Sequence, residues 1–176
     1  MLKTILIVVV VLIGGVLAMA ATKPDTFSVQ RSASIKAPPE KIFAVVNDFH
    51  RWPDWSPWEK LDPGMKRTQS GAPAGKGAVY EWDGNSKAGA GRMTINAVEP
   101  DESVTIALEF IKPFKSTSTT VFTLEPDGAT VVVRWRMTGP KTFMTRFMGV
   151  FMSMDKMVGP DFEKGLTQLK DDVEAS

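Results

Sequence analysis

Between residues 78 and 137 the chain repeats one pattern: a short alternating segment, then a turn signal. Ala78–Asp83 closes on Asp83-Gly84-Asn85, and 91–98 on Glu99-Pro100-Asp101. Segment 103–111 closes on Lys112-Pro113, 115–124 on Pro126-Asp127-Gly128, and 129–137 on Gly139-Pro140. Alternation with period two marks strands. A parallel pair needs a crossover of a dozen or more residues, and these connections are far shorter. The segments therefore form hairpins, and the sheet is antiparallel.

Successive side chains of a strand point to opposite faces, so parity assigns each residue a side. Val104, Ile106, Leu108 and Phe110 share one face and leave Glu109 on the other. Val131, Val133, Trp135 and Met137 oppose Arg134 and Arg136; Tyr80 and Trp82 oppose Glu81 and Asp83. Met93, Ile95 and Ala97 oppose Arg92, Thr94 and Asn96. Segment 115–124 carries Thr and Ser on both parities and stays ambiguous. One face of the sheet is thus apolar and the other holds nearly every charge.

The flanks complete the architecture. Segment 27–35 alternates, with Phe27, Val29, Arg31, Ala33 and Ile35 on one side. Pro38-Pro39 precedes a helical spacing of Ile42, Phe43, Val45 and Val46, which predicts a helix over 40–47. Residues 48–63 are irregular and rich in Trp and Pro. Near the C-terminus Val158, Phe162, Leu166, Leu169 and Val173 recur at steps of three and four, an amphipathic helix with Pro160 in its first turn. The order is strand, helix, five or six strands, long helix. Its natural packing is α+β: one curved antiparallel sheet wrapped around the C-terminal helix.

Residues 1–21 stand apart. Lys3 is followed by the uncharged stretch 4–21, just long enough to cross a hydrocarbon core of roughly 30 Å as a helix. A retained single-pass transmembrane anchor is one expectation. The other is a secretory signal, since Ala18-Met19-Ala20 has the small-x-small form a signal peptidase accepts, with cleavage near Ala20. Both place the domain outside the cytoplasm: at a membrane in the first case, secreted or periplasmic in the second. Residues 22–26 read as a linker and 27–176 as one domain.

Composition removes several chemistries. A net charge of +1 without basic clusters argues against a nucleic-acid partner. The absence of cysteine excludes disulfides, thiolate zinc sites and cysteine nucleophiles. One histidine and scattered carboxylates give no metal-ligand spacing. The glycine-rich stretch 71–77 lacks a Ser or Thr after its lysine and reads as a hairpin loop. No metal and no cofactor is expected.

Three stretches carry a family resemblance. These are 32–43 (SASIKAPPEKIF), Asp48 followed by Trp52 and Trp55-Ser56-Pro57-Trp58, and 165–170 (GLTQLK). With the element order, they resemble the START/Bet v 1-like (SRPBCC) superfamily, in its polyketide cyclase/dehydrase and lipid-transport branch. The resemblance covers about residues 27–174. It implies a helix-grip fold with a cavity between sheet and helix, and a lipid, sterol or polyketide as ligand. A Met- and Phe-rich stretch before the last helix, with Met144, Phe147, Phe151 and Met157, departs from that pattern and reads as a lid or mouth over the cavity, the alternatives being core filling or a face resting on the bilayer beside the anchor.

Within that frame the expected ligand contacts are Trp55, Trp58, Tyr80 and Trp82, then Met93, Ile95, Leu108 and Phe110 on the strands. Trp135, Phe147, Phe162 and Leu166 complete them. Catalysis needs a titratable group inside the site, and three residues are candidates. Tyr80 would offer a hydroxyl, His50 a proton donor at the mouth, and Arg31 an anchor for a ligand carboxylate; otherwise Arg31 is an ion-paired edge residue. The reading is a membrane-anchored binding protein for a hydrophobic small molecule or lipid. The alternatives are a cyclase/dehydratase-type enzyme and a ligand-free interaction module.

Overall fold

The computed structural model describes residues 14–15, 26–141 and 153–176. The stretch 4–21, apart from Gly14 and Gly15, and Phe147 with the Met-rich residues around it lie outside these. Among the described residues no helix is long and apolar enough to cross a membrane.

Strand β1 (Thr26–Ile35) leads into helix α1 (Pro39–Val46) and the short helix α2 (Trp52–Trp55). Six strands follow: β2 (Lys66–Gly71), β3 (Ala78–Asp83), β4 (Ala90–Glu99), β5 (Ser103–Lys112), β6 (Ser116–Asp127) and β7 (Thr130–Pro140). Helix α3 (Met154–Ala175) closes the chain. The sheet has the order β1-β7-β6-β5-β4-β3-β2, with every neighbour antiparallel. Consecutive hairpins give this order, and β1 closes the far edge beside β7.

Two expectations need correction. A bulge between Ile95 and Ala97 in β4 breaks the strict alternation, so Ala97, expected on the apolar face, is exposed, while Val98, opposite Val104, packs against the core. α3 begins at Met154, capped by the Ser153 side chain, which accepts from the Lys156 N–H. Pro160 therefore lies in the second turn, not the first. Its ring is exposed there. β2 carries no alternation to read. Its sequence is KRTQSG, and as an edge strand it needs no apolar face. Its register nevertheless turns two residues inward: Arg67 lies opposite Trp82, and Gln69 opposite Tyr80. The ambiguous strand resolves as well: Thr120, Phe122 and Leu124 point inward, facing Met137, Trp135 and Val133.

The outer face of the sheet is a ladder of charges. Arg92 pairs with Glu81 across β3 and β4 (2.6 Å), and Arg134 with Glu125 (2.9 Å). Glu109 and Arg136 are exposed. Such solvated pairs contribute well under about 1 kcal/mol each, so they secure register and solubility more than stability.

The core lies between the inner face and α1, α2 and α3. α1 buries Ile42, Val45 and Val46. α3 runs along β1 and buries Phe162, Leu166, Leu169 and Val173. Its C-terminal half is stitched to the end of β1, where Lys170 Nζ donates to the Ser34 carbonyl (3.0 Å) and Glu174 accepts from the Lys36 N–H (2.7 Å).

Candidate functional site

At the centre of the grip stands Trp135, in the middle of β7 and 1% exposed. Phe162 of α3 stacks on it, with centroids 4.1 Å apart and planes 9° apart. Phe122 stacks from β6 at 4.7 Å. Trp55 and Trp58 meet it edge-on at 5.7 Å and 5.5 Å. Trp52 and Phe49 extend the contacts to Tyr80. Aromatic pairs at these distances and tilts add about 0.5–1.5 kcal/mol each beyond their buried area. Helix α3 comes this close because residue 165 is glycine: a Cβ there would lie 2.8 Å from the Trp135 ring. The indole nitrogens of Trp55 and Trp135 are buried without an oxygen or nitrogen partner. Trp52, by contrast, donates to the Val46 carbonyl (3.1 Å).

Beside the aromatic column lies a charged cluster that strand parity did not reveal. Glu59, in the loop after α2, is buried. One of its carboxylate oxygens accepts from the Tyr80 hydroxyl at 2.5 Å, the other from Arg67 Nε at 2.6 Å. Arg67 also donates to the Glu59 carbonyl (2.9 Å) and the Met65 carbonyl (2.8 Å). Burial, followed by the Glu59 carboxylate, holds the Tyr80 hydroxyl well above the usual tyrosine range. The Arg67 guanidinium is held above its ordinary value by its hydrogen bond to Glu59. Each partner is committed to another, so the cluster fixes the loop after α2 to β2 and β3 and keeps the phenol neutral. Its sequence signals were Tyr80 on the inward parity of β3 and a glutamate after the last tryptophan of the Trp/Pro stretch.

Toward the other end the inner face changes. Along the inner parity of β5 burial falls: Val104 and Ile106 are fully buried, while Leu108 and Phe110 are half-buried. Across the register Leu108 faces Met93, and Phe110 faces Gly91. Trp82 of β3 is half-buried, lies edge-on to Phe110 at 5.7 Å, and donates to the Ala88 carbonyl (3.0 Å). Gly91 makes this possible, since a Cβ there would sit 2.4 Å from the Trp82 ring. Trp58 is half-buried as well. Trp82, Met93, Leu108 and Phe110 form a half-covered apolar patch on the inner face, the mouth of the grip.

The twelve sequence-derived contacts therefore divide. Trp55, Tyr80, Ile95, Trp135, Phe162 and Leu166 are fully buried in the packed column and its surroundings, the half-buried Trp58 packs on Trp135 and Phe162, and Trp82, Met93, Leu108 and Phe110 form the mouth. Phe147 lies outside the described residues. Of the catalytic candidates, Arg31 faces inward but is gripped by two carboxylates of α3: Asp155 (2.7 Å) and Glu163 (2.6 Å). That contact holds Asp155 below the usual carboxylate range. His50 is exposed, and its Nδ1 lies 2.8 Å from Asp48. It borders a half-open cleft of about 230 Å³ with Phe49, Gln69, Ala78 and Val79. That volume is below the roughly 300–1,000 Å³ of ordinary small-molecule sites. Among the described residues no group of three acids or histidines is gathered as a metal site requires.

The family model described as polyketide cyclase/dehydrase and lipid transport matches residues 26–174. The chain belongs to that family. Solved structures agree on the SRPBCC, Bet v 1-like fold. Protein MLL2253 from Mesorhizobium loti is 23% identical with a TM-score of 0.58, covering 83% of this chain and 98% of its own. Protein CV1439 from Chromobacterium violaceum is 17% identical at TM-score 0.59, covering 86% and 99%. Ara h 8.0201 is 13% identical at TM-score 0.58, covering 86% and 99%. No curated protein matches the sequence. In this family the helix-grip expectation is met by a seven-stranded sheet curled over α3, with its centre filled by aromatic rings.

Proposed function

We propose that this chain binds a hydrophobic small molecule or lipid at the apolar mouth of the grip, and that residues 4–21 hold it at a membrane with the domain outside the cytoplasm. One observation carries the binding reading. The same inner face is packed solid around Trp135 and left half-covered at Leu108, Phe110, Met93 and Trp82. Half-buried apolar side chains favour an apolar occupant by roughly 25 cal/mol per Å² covered. The inward charged groups support binding over conversion: Glu59, Arg67 and Arg31 are each already paired. Cleavage near Ala20, giving a secreted or periplasmic form, is the alternative for the N-terminus.

Native mass spectrometry of the full chain, released from membranes in mild detergent, tests both parts. A retained N-terminus and one apolar adduct per chain are expected. A chain of unliganded mass that takes up no added fatty acid overturns the binding reading. A mass beginning near residue 21 overturns the anchor.

Cyclase-type chemistry has one observation in its favour, the short Tyr80–Glu59 contact next to the mouth. It is separable from binding: Tyr80→Phe would retain ligand and abolish conversion.

A further inference from the structure

We infer that the β5–β6 hairpin is a membrane-contact loop that seats the mouth of the grip on the phospholipid bilayer. The inference rests on the proposed anchoring by residues 4–21 and adds which face of the domain meets the lipid. Phe114 at the hairpin tip is 66% exposed, and Ile111 beside it 51%. Large apolar side chains standing free at a loop tip gain by entering a lipid interface. Lys112 and Lys115 flank Phe114 in sequence and are exposed. Lys112 contacts Asp83 at 2.9 Å, a solvated pair that leaves the lysine side chain 60% accessible. An aromatic between two lysines suits an anionic headgroup layer.

The end of the fold from which the chain departs is the independent observation. Thr26, the first residue of β1, pairs with Pro140 at the end of β7. The rung runs on through β6, where Glu109 of β5 pairs with Thr117 and a Cβ on Gly139 would lie 2.9 Å from the Thr117 carbonyl. The chain therefore leaves toward residue 21 at the end of the sheet that carries Ile111 and Phe114. Ala21 and Thr26 are five Cα steps apart, so at most about 18 Å separates them. An anchored domain on so short a tether presents this end, and the mouth with it, to the bilayer. The opposite end carries the β6–β7 hairpin at Asp127 and Gly128.

The chain contains no cysteine, so a single introduced one is a unique label site. The test uses the full chain in vesicles of phosphatidylcholine and phosphatidylglycerol. An environment-sensitive fluorophore is placed at Phe114→Cys, at Lys115→Cys with Phe114 kept, or at Ala129→Cys on the opposite hairpin. Lipids bearing a quencher in the acyl chain should quench the first two labels at least about twofold more than the third, with iodide in the buffer showing the reverse order. Equal aqueous quenching at all three sites in firmly anchored protein overturns this inference and leaves the anchor standing. Protein that washes off the vesicles overturns both. A label at 114 shielded from iodide yet unreached by lipid quenchers means that a protein surface, such as a second copy, covers the hairpin, and it overturns the lipid assignment.

Discussion

The two ends of the sheet–helix interior use the same kinds of residue and pack them differently. Around Trp135 every ring has ring neighbours, all but the half-buried Trp58 are sealed, and α3 is drawn in over Gly165. Around Leu108 the side chains are equally apolar, yet the described elements leave them half-covered. Composition does not separate the two regions, since both are Trp, Phe, Leu and Met on inward parities. What differs is what lies opposite. α1, α2 and the buried half of α3 roof the first region, while the β5–β6 and β3–β4 turns end beside the second. Among the described residues an apolar surface is sealed where a helix covers it and stays half-covered where none does.

The largest expected effect lies in the packed column. Trp135→Ala should cost about 3–5 kcal/mol, read from a denaturant midpoint, because four rings lose their partner and Gly165 leaves nothing to refill the space. A cost near 1 kcal/mol would break the comparison by showing that this end is hollow too. Next comes the buried carboxylate. Glu59→Gln should cost about 1–3 kcal/mol, since Tyr80 and Arg67 lose a charged acceptor.

Tyr80 is the only tyrosine, so phenolate absorbance reports on it alone. Its folded-state value is raised, so its contribution to stability is complete below the ordinary value of 10.0 and is lost as pH climbs above it toward the folded value. In the native chain the phenolate should appear only well above pH 10.0, and in Glu59→Gln at lower pH than in wild type. An ordinary titration in wild type would contradict the buried cluster.

At the mouth the balance reverses. Leu108→Ala, at a half-buried site, should cost only about 1 kcal/mol while weakening apolar ligand uptake more than Trp135→Ala does among the molecules that stay folded. The smallest effect belongs to the hairpin tip. Phe114→Ser should leave the denaturant midpoint unchanged within about 0.5 kcal/mol, because the ring packs on little in the free domain.

Much of this was legible in the sequence. Period-two parity placed Glu81, Glu109, Arg134 and Arg136 outside, and Trp135, Leu108 and Phe110 inside, because one face of each strand is solvated and side chains alternate along a regular strand; it failed at Ala97, where a bulge in β4 shifts the register. β2 was not legible, as an edge strand of six polar or small residues has no apolar alternation. Arg67 and the Glu59 cluster went unseen with it. Parity also cannot distinguish Ile95 from Met93. Both point inward, one is sealed and the other half-open, and only the position of the helices decides. The start of α3 was placed late because Pro160 resembles a first-turn residue, whereas the cap is Ser153.

The most direct test of binding at the mouth is a titration of a fluorescent fatty-acid analogue into wild-type protein and into Leu108→Arg. Saturable uptake of one probe per chain by wild type is expected, with affinity reduced at least about tenfold by a charge placed on the inner face of β5. Wild type that shows no saturable uptake, or a variant that binds as tightly as wild type, would contradict binding at this end of the grip.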